Sequence, residues 1–199
     1  MDDRQFDEFA VLCGELLRDF GWQDHICLTW CEGIDVREAA HRLGADMESG
    51  APATVADVRV AVWAAARPSR YDLVVLGKLG TWTLLVEEMG MLGATPDVLS
   101  ALSRDGRALN VHWHVNMSGR ITYAVDGEIV SCFQTSTPEE KLGIEPGSLS
   151  AYGGGLRFGD GSEMFERRAS ALLLARRLTG ERLTREWLDS IHSMYFIPS

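Results

Sequence analysis

Basic residues are in short supply in this chain: 19 lysines and arginines stand against 29 aspartates and glutamates, a net charge of −10. A surface of that sign repels phosphate backbones, so no nucleic acid is expected as a partner. The excess is N-terminal, because residues 1 to 57 hold 13 acids against 4 bases. Such acidity favours a basic partner or simply keeps the chain soluble. Cysteine is scarce too. Cys13, Cys27, Cys31 and Cys132 are irregularly spaced, which excludes a disulfide framework and fits thiols in a reducing compartment. Cys27 and Cys31 fall on one face of a short strand, but two thiols alone make no zinc site. Apolar runs such as Leu172 to Ala175 are far shorter than the roughly 20 residues that span a bilayer, and no charged-then-apolar leader follows Met-Asp-Asp. The expectation is a cytoplasmic protein that does not engage membranes.

What is present is an apolar fraction of 46% over 199 residues, enough for one good core and a single domain over residues 1–199. The most legible stretch is Arg107 to Phe133, which reads as three antiparallel strands. Its turns are placed at Ser118-Gly119 and Asp126-Gly127, and Asp-Gly supplies the positive φ angles of a type I′ turn. Two-residue loops set His114 opposite Tyr123, His112 opposite Val125, and Val125 opposite Glu128. Val111, Trp113, Val115, Ala124, Ile129 and Phe133 then form a core face. His112, His114, Asn116, Tyr123 and Glu128 share the other, polar face.

Elsewhere, Phe6, Phe9, Ala10, Leu12, Cys13, Leu16, Leu17 and Phe20 recur at helical spacing over residues 2 to 20, before Gly21. Residues 25 to 31 read as a strand, Asp35 caps a helix to about Leu43, and Thr54 caps another over Val55 to Ala66. Residues 71–78 and 81–88 form a hairpin about Leu79-Gly80, apolar enough to be covered on both faces. Thr95-Pro96-Asp97 opens a helix. Residues 134–162 are irregular and include YGGGLRFGDGSE, where Asp160 or Ser162 caps the next helix, from about Glu163 to Leu178. A short helix follows Thr184, and MYFIPS closes the chain by docking or fraying. The fold class is therefore α+β: an antiparallel sheet of five or six strands with helices packed mainly on one face.

Three stretches carry a resemblance: CLTWCEGIDVREAAHRLGAD at 27 to 46, GTWTLLVEEMGMLGATPDVLSALS at 80 to 103, and NVHWHVNMSGRITYAVDGEIVSCF at 110 to 133. Over roughly residues 24 to 146 the chain resembles an uncharacterised actinobacterial family, a domain of unknown function. Trp82, Glu87, Gly90 and the Tyr123-to-Glu128 hairpin match its recurring features. The resemblance implies no activity, cofactor or site.

Candidate chemistry centres on the polar face. His112-x-His114 has a spacing that metal sites use, but two imidazoles need a third ligand, for which Cys132, Glu87 and His25 are the reserves. Packed, hydrogen-bonded histidines are the commoner outcome, so neither metal nor cofactor is expected. His114 opposite Tyr123, with Asn116 nearby, suits general acid or base work if that face lines a pocket; Glu128, on the same face, is two strands from His112, roughly 9 to 10 Å away. No GxSxG elbow and no GxxxxGK[ST] loop identifies an enzyme. The leading expectation is a cytosolic domain that binds another protein through its acidic helix or an exposed sheet face. The alternative is a small enzyme or ligand binder built on His112, His114 and Tyr123.

Overall fold

The computed structural model describes residues 3–64, 71–115 and 117–198. Its centre is strand β1 (His25–Glu32), buried at six of eight positions because Ile26, Leu28 and Trp30 point to one side and Cys27, Thr29 and Cys31 to the other. Around it lies one antiparallel sheet of eight strands rather than five or six. In chain order the others are β2 (Ala51–Ala53), β3 (Tyr71–Leu79), β4 (Trp82–Glu87), β5 (Arg107–His114), β6 (Met117–Val125), β7 (Glu128–Gln134) and β8 (His192–Pro198). The spatial order is β2-β8-β3-β4-β1-β5-β6-β7. Neither edge is open for pairing. β2 is three residues long and contains Pro52, while Leu142 to Glu145 bonds along β7, with Leu142 and Cys132 exchanging two 2.8 Å hydrogen bonds.

Among the described residues there are six α-helices: α1 (Asp3–Asp19), α2 (Val36–Arg42), α3 (Val55–Ala64), α4 (Pro96–Leu102), α5 (Met164–Thr179) and α6 (Arg185–Asp189). α1 buries Phe6, Ala10, Cys13 and Leu17, one stripe three to four residues apart. With α3, α5 and α6 it covers the face carrying Ile26, Leu28, Trp30, Val111 and Trp113. α2 and α4 cover the opposite face through Ala39, Ala40, Leu99 and Leu102. Most helices thus share one face, as expected, but the second is roofed too, which is why β4 is buried along its whole length.

Local chemistry fixes the ends. Asp35 accepts the Glu38 backbone N–H at 2.8 Å, and Pro96 opens α4. Glu163, not Asp160 or Ser162, caps α5, in a reciprocal box with Glu166. The glycine-rich segment before it is held by arginines: Arg177 donates to the Tyr152 and Gly154 carbonyls at 2.7 and 2.8 Å. Arg157 reaches Asp3, Asp7 and Glu166 and lies over the Phe6 ring. Met194 to Pro198 neither fray nor merely dock; they form most of β8, which pairs with β3 along six residues, and the final serine lies outside the described residues. The hairpin before it turns at Gly80-Thr81, one residue later than expected, since Leu79 faces Trp82.

The 107–133 meander departs from its expected register. Asp126 and Gly127 form their turn at φ 49° and 87°. Ser118-Gly119, however, lies inside β6, so His112 faces Arg120 and His114 faces Met117. A bulge between Tyr123 and Ala124 shifts the β6–β7 pairing further.

Candidate functional site

That register decides which side chains meet. Tyr123 sits opposite Leu109 and joins the Trp113 face, away from His112; its partner group is Arg107, itself paired with Glu32. Glu128 faces Val125, which packs on that same Trp113 side, and is exposed at the hairpin end. Ile129 and Ala124 lie on the other face from the one expected. Asn116 falls outside the described residues. Of the four described candidates, His112 and His114 keep the face expected of them while Tyr123 and Glu128 fall on the opposite one, because a pairing displaced by an odd number of residues turns every side chain of a strand to the other face.

His112 does join a polar cluster, but with other partners. Across β1, His114 faces His25, His112 faces Cys27 and Asn110 faces Thr29, and β4 sets Glu87 beside Cys27. The His25 and His114 rings meet edge to face at 5.2 Å. Cys27, Thr29, Glu87 and Asn110 have no solvent exposure. The Glu87 carboxylate accepts the Leu92 and Gly93 backbone N–H groups, both at 2.8 Å, and the Cys27 thiol at 3.4 Å. The Asn110 amide nitrogen donates to Thr29 Oγ1 at 2.9 Å and Leu28 O at 3.3 Å, with Cys27 Sγ at 3.2 Å. Its oxygen therefore faces His112 Nδ1, 2.8 Å away, so Nδ1 carries the proton and Nε2 keeps the lone pair.

Cysteine, histidine and asparagine are the residue types of a thiol nucleophile with its base and orienter, but the arrangement opposes that chemistry. The Cys27 thiol donates to Glu87 instead of His112, and burial, then the Glu87 charge, push its pKa well up. A nucleophilic cysteine needs the reverse shift. Burial, followed by the Arg120 and His25 charges, lowers His112 to about 4, so it is neutral at pH 7. Burial also raises Glu87 against its two N–H donors. Gly93 explains the closure, for a Cβ there would come 2.3 Å from Thr29 Oγ1. Among the described residues no three His, Cys, Asp or Glu side chains form a metal-ligand group. Cys27, Glu87, Thr29, Asn110 and His112 form a hydrogen-bonded structural network holding β1, β4 and β5 to the 3₁₀ turn at Leu92–Ala94, while His25 at its edge bonds the Gly90 carbonyl through Nε2 and keeps a buried Nδ1 with no partner among the described residues.

The open chemistry is on the other face. Where β5 ends against the first turns of α5, a cavity of about 290 Å³ is lined by Trp113, Val115, Thr135, Met164, Arg167 and Arg168, with His112 also in its wall. The Arg168 guanidinium lies 5.6 Å from the Trp113 ring centre. Val115, Met164 and Phe165 are 63%, 54% and 54% exposed at or beside the mouth. Of the described sequence candidates only His112 reaches this cavity. The available signal was Arg168 itself, three residues after Phe165 and four before Leu172, an arginine on the apolar stripe of its helix.

A family model described as "Family of unknown function (DUF6461)" matches residues 15–197. The match extends beyond residues 24 to 146 to include α5, α6 and β8. No curated protein and no solved structure matches.

Proposed function

We propose that this chain, which belongs to that family of unknown function, is a partner-binding domain that docks an acidic, apolar segment of another protein in the cleft between the end of β5 and the start of α5. The observation that carries this reading is the grouping of exposed Val115 and Met164 around a cavity floored by Trp113 and edged by Arg167 and Arg168. Clustered exposed apolar residues with a polar rim are the usual composition of a binding patch. No acidic residue is among its described lining residues, so on a chain of net charge −10 the cleft is locally cationic and suits an acidic partner.

Two other surfaces fit a partner less well. The acids of α1 are largely engaged within the chain: Asp3 and Asp7 with Arg157, Glu8 with Arg4, and Asp19 with Arg185. The sheet edges are shortened or covered, which disfavours strand addition.

Quantitative affinity capture from the native host tests the reading, with wild type, Val115→Asp, Met164→Asp and, as a control exposed elsewhere, Leu142→Asp. One protein should be retained in near-stoichiometric amount by wild type and by Leu142→Asp. It should be lost about tenfold or more with either cleft variant, equivalent to about 1.4 kcal/mol. Retention by the cleft variants equal to wild type would refute the docking site.

A further inference from the structure

We infer that the cavity beside Trp113 is a carboxylate-capture site, taking an apolar acid about one residue in size, with its carboxylate at Arg167, Arg168 and the Thr135 hydroxyl and its body against the Val111, Val115, Met164 and Ala171 walls. This rests on the docking reading above and names the group that anchors the partner.

The inventory of donors points to an anion. Arg167 gives one N–H to the Gly159 carbonyl at 3.2 Å, and Arg168 contacts Met164 Sδ at 2.8 Å. Neither guanidinium forms an ion pair with a carboxylate among the described residues, unlike Arg42, Arg107, Arg157 and Arg185. Asp24 is the acid whose charge reaches Arg168, and neighbouring Arg167 opposes it. Burial lowers the Arg168 pKa, so its charge is partly stripped of water without a salt-bridge partner. Thr135 is almost wholly buried in the cavity wall, with its backbone N–H and C=O used by Gly119 and Gly159. Two guanidiniums and a hydroxyl, each able to donate, thus line one space, and no described lining side chain brings a carboxylate acceptor.

Size and walls narrow the class. At about 290 Å³ the cavity is at the small end of ligand pockets, near roughly 300 Å³, and holds one residue-sized group rather than a nucleotide cofactor. Val111, Val115, Met164 and Ala171 make the walls apolar, which favours a hydrocarbon body over a polyanion. A planar carboxylate matches the guanidinium fork, and Arg168 is held in place over the buried Trp113 ring. Acid and apolar body on one residue describes the last residue of a polypeptide, and equally a free apolar acid.

Isothermal titration of wild type at pH 7 and low salt compares 3-phenylpropionate, 3-phenylpropanamide, acetate, and the tetrapeptide Gly-Gly-Ala-Phe as free acid and as amide. The inference expects both phenyl-bearing acids to bind, with the amides and acetate about tenfold weaker or more, a difference of about 1.4 kcal/mol. Arg168→Gln and Arg167→Gln, each with its thermal midpoint measured, should both lose that preference. A tighter peptide acid assigns the site to a chain terminus, and a tighter free acid to a small molecule; either upholds carboxylate capture. Amides binding as well as acids, no binding by any acid, or unchanged acid binding in both folded arginine variants would overturn it. If no acid binds while capture is still lost in Val115→Asp, the carboxylate site falls and the docking surface stands. If acids bind while capture ignores Val115→Asp, the docking reading falls instead.

Discussion

Replacing Trp113 with alanine is expected to cost about 3–5 kcal/mol, the range for truncating a buried aromatic, and to bring the protein close to unfolding. Trp113 is among the largest fully enclosed side chains and sits in the main core with Trp22, Ile26 and Val111. Its indole N–H donates to the Trp22 carbonyl at 2.7 Å, so truncation also leaves a buried acceptor unpaired. Arg168 loses the ring beneath it. Urea denaturation should show the fall in midpoint. His112→Ala should cost less, about 1–3 kcal/mol, because it mainly breaks the bond to Asn110. Equal losses from the two substitutions would contradict the assignment of faces.

The second large effect is a pH dependence in which two buried groups oppose each other. His112 is held at about 4 against an ordinary 6.5, so between those values the unfolded chain binds more protons and stability falls as the solution is acidified. Glu88 behaves in the opposite sense. Burial raises it to about 7 against 4.5, although the Trp22 indole N–H donates to it at 2.7 Å and Arg59 attracts its charge. Between pH 4.5 and 7 the unfolded chain releases that proton first, so this contribution is present at low pH and lost as pH rises. Glu88→Gln keeps an acceptor for Trp22 and removes the titration. Its stability relative to wild type should therefore increase from pH 4.5 to pH 8 by on the order of 3 kcal/mol. Chemical denaturation of both proteins at the two pH values measures this directly. An identical difference at both pH values would mean that Glu88 ionises normally.

Elements with a local signal were readable from the residues. The α1 stripe, the Asp35 and Thr184 caps, Pro96 at the start of α4 and the Asp126-Gly127 turn each have a chemical cause within a few residues. What was not legible depends on distant chain. β8 pairs with β3 through contacts such as Tyr71 with Pro198, and no turn signal marks such a partnership. Three-residue β2, with its proline, has no pattern of its own.

The misplaced first turn is the instructive case. Gly119 resembles a turn glycine but does not take a positive φ; a Cβ there would come 3.1 Å from Thr135 Oγ1, so it is small to let β6 pass close to residue 135. Taking it for a turn moved Tyr123 to the histidine face and suggested a catalytic pair that the sheet separates. The arginine cleft went unread for a related reason. It needs α5 laid across β5, a contact between residues more than 50 apart.

The central claim is that binding occurs at the Trp113 cleft while the Cys27, Glu87 and Asn110 network is structural. Amide chemical-shift mapping of ¹⁵N-labelled protein titrated with 3-phenylpropionate tests it most directly. Perturbations should concentrate at Trp113, Val115, Thr135 and Arg167 to Ala171, with little change at Cys27, Thr29, Glu87 or Asn110. Perturbations concentrated instead on those four residues, with the cleft unmoved, would contradict it.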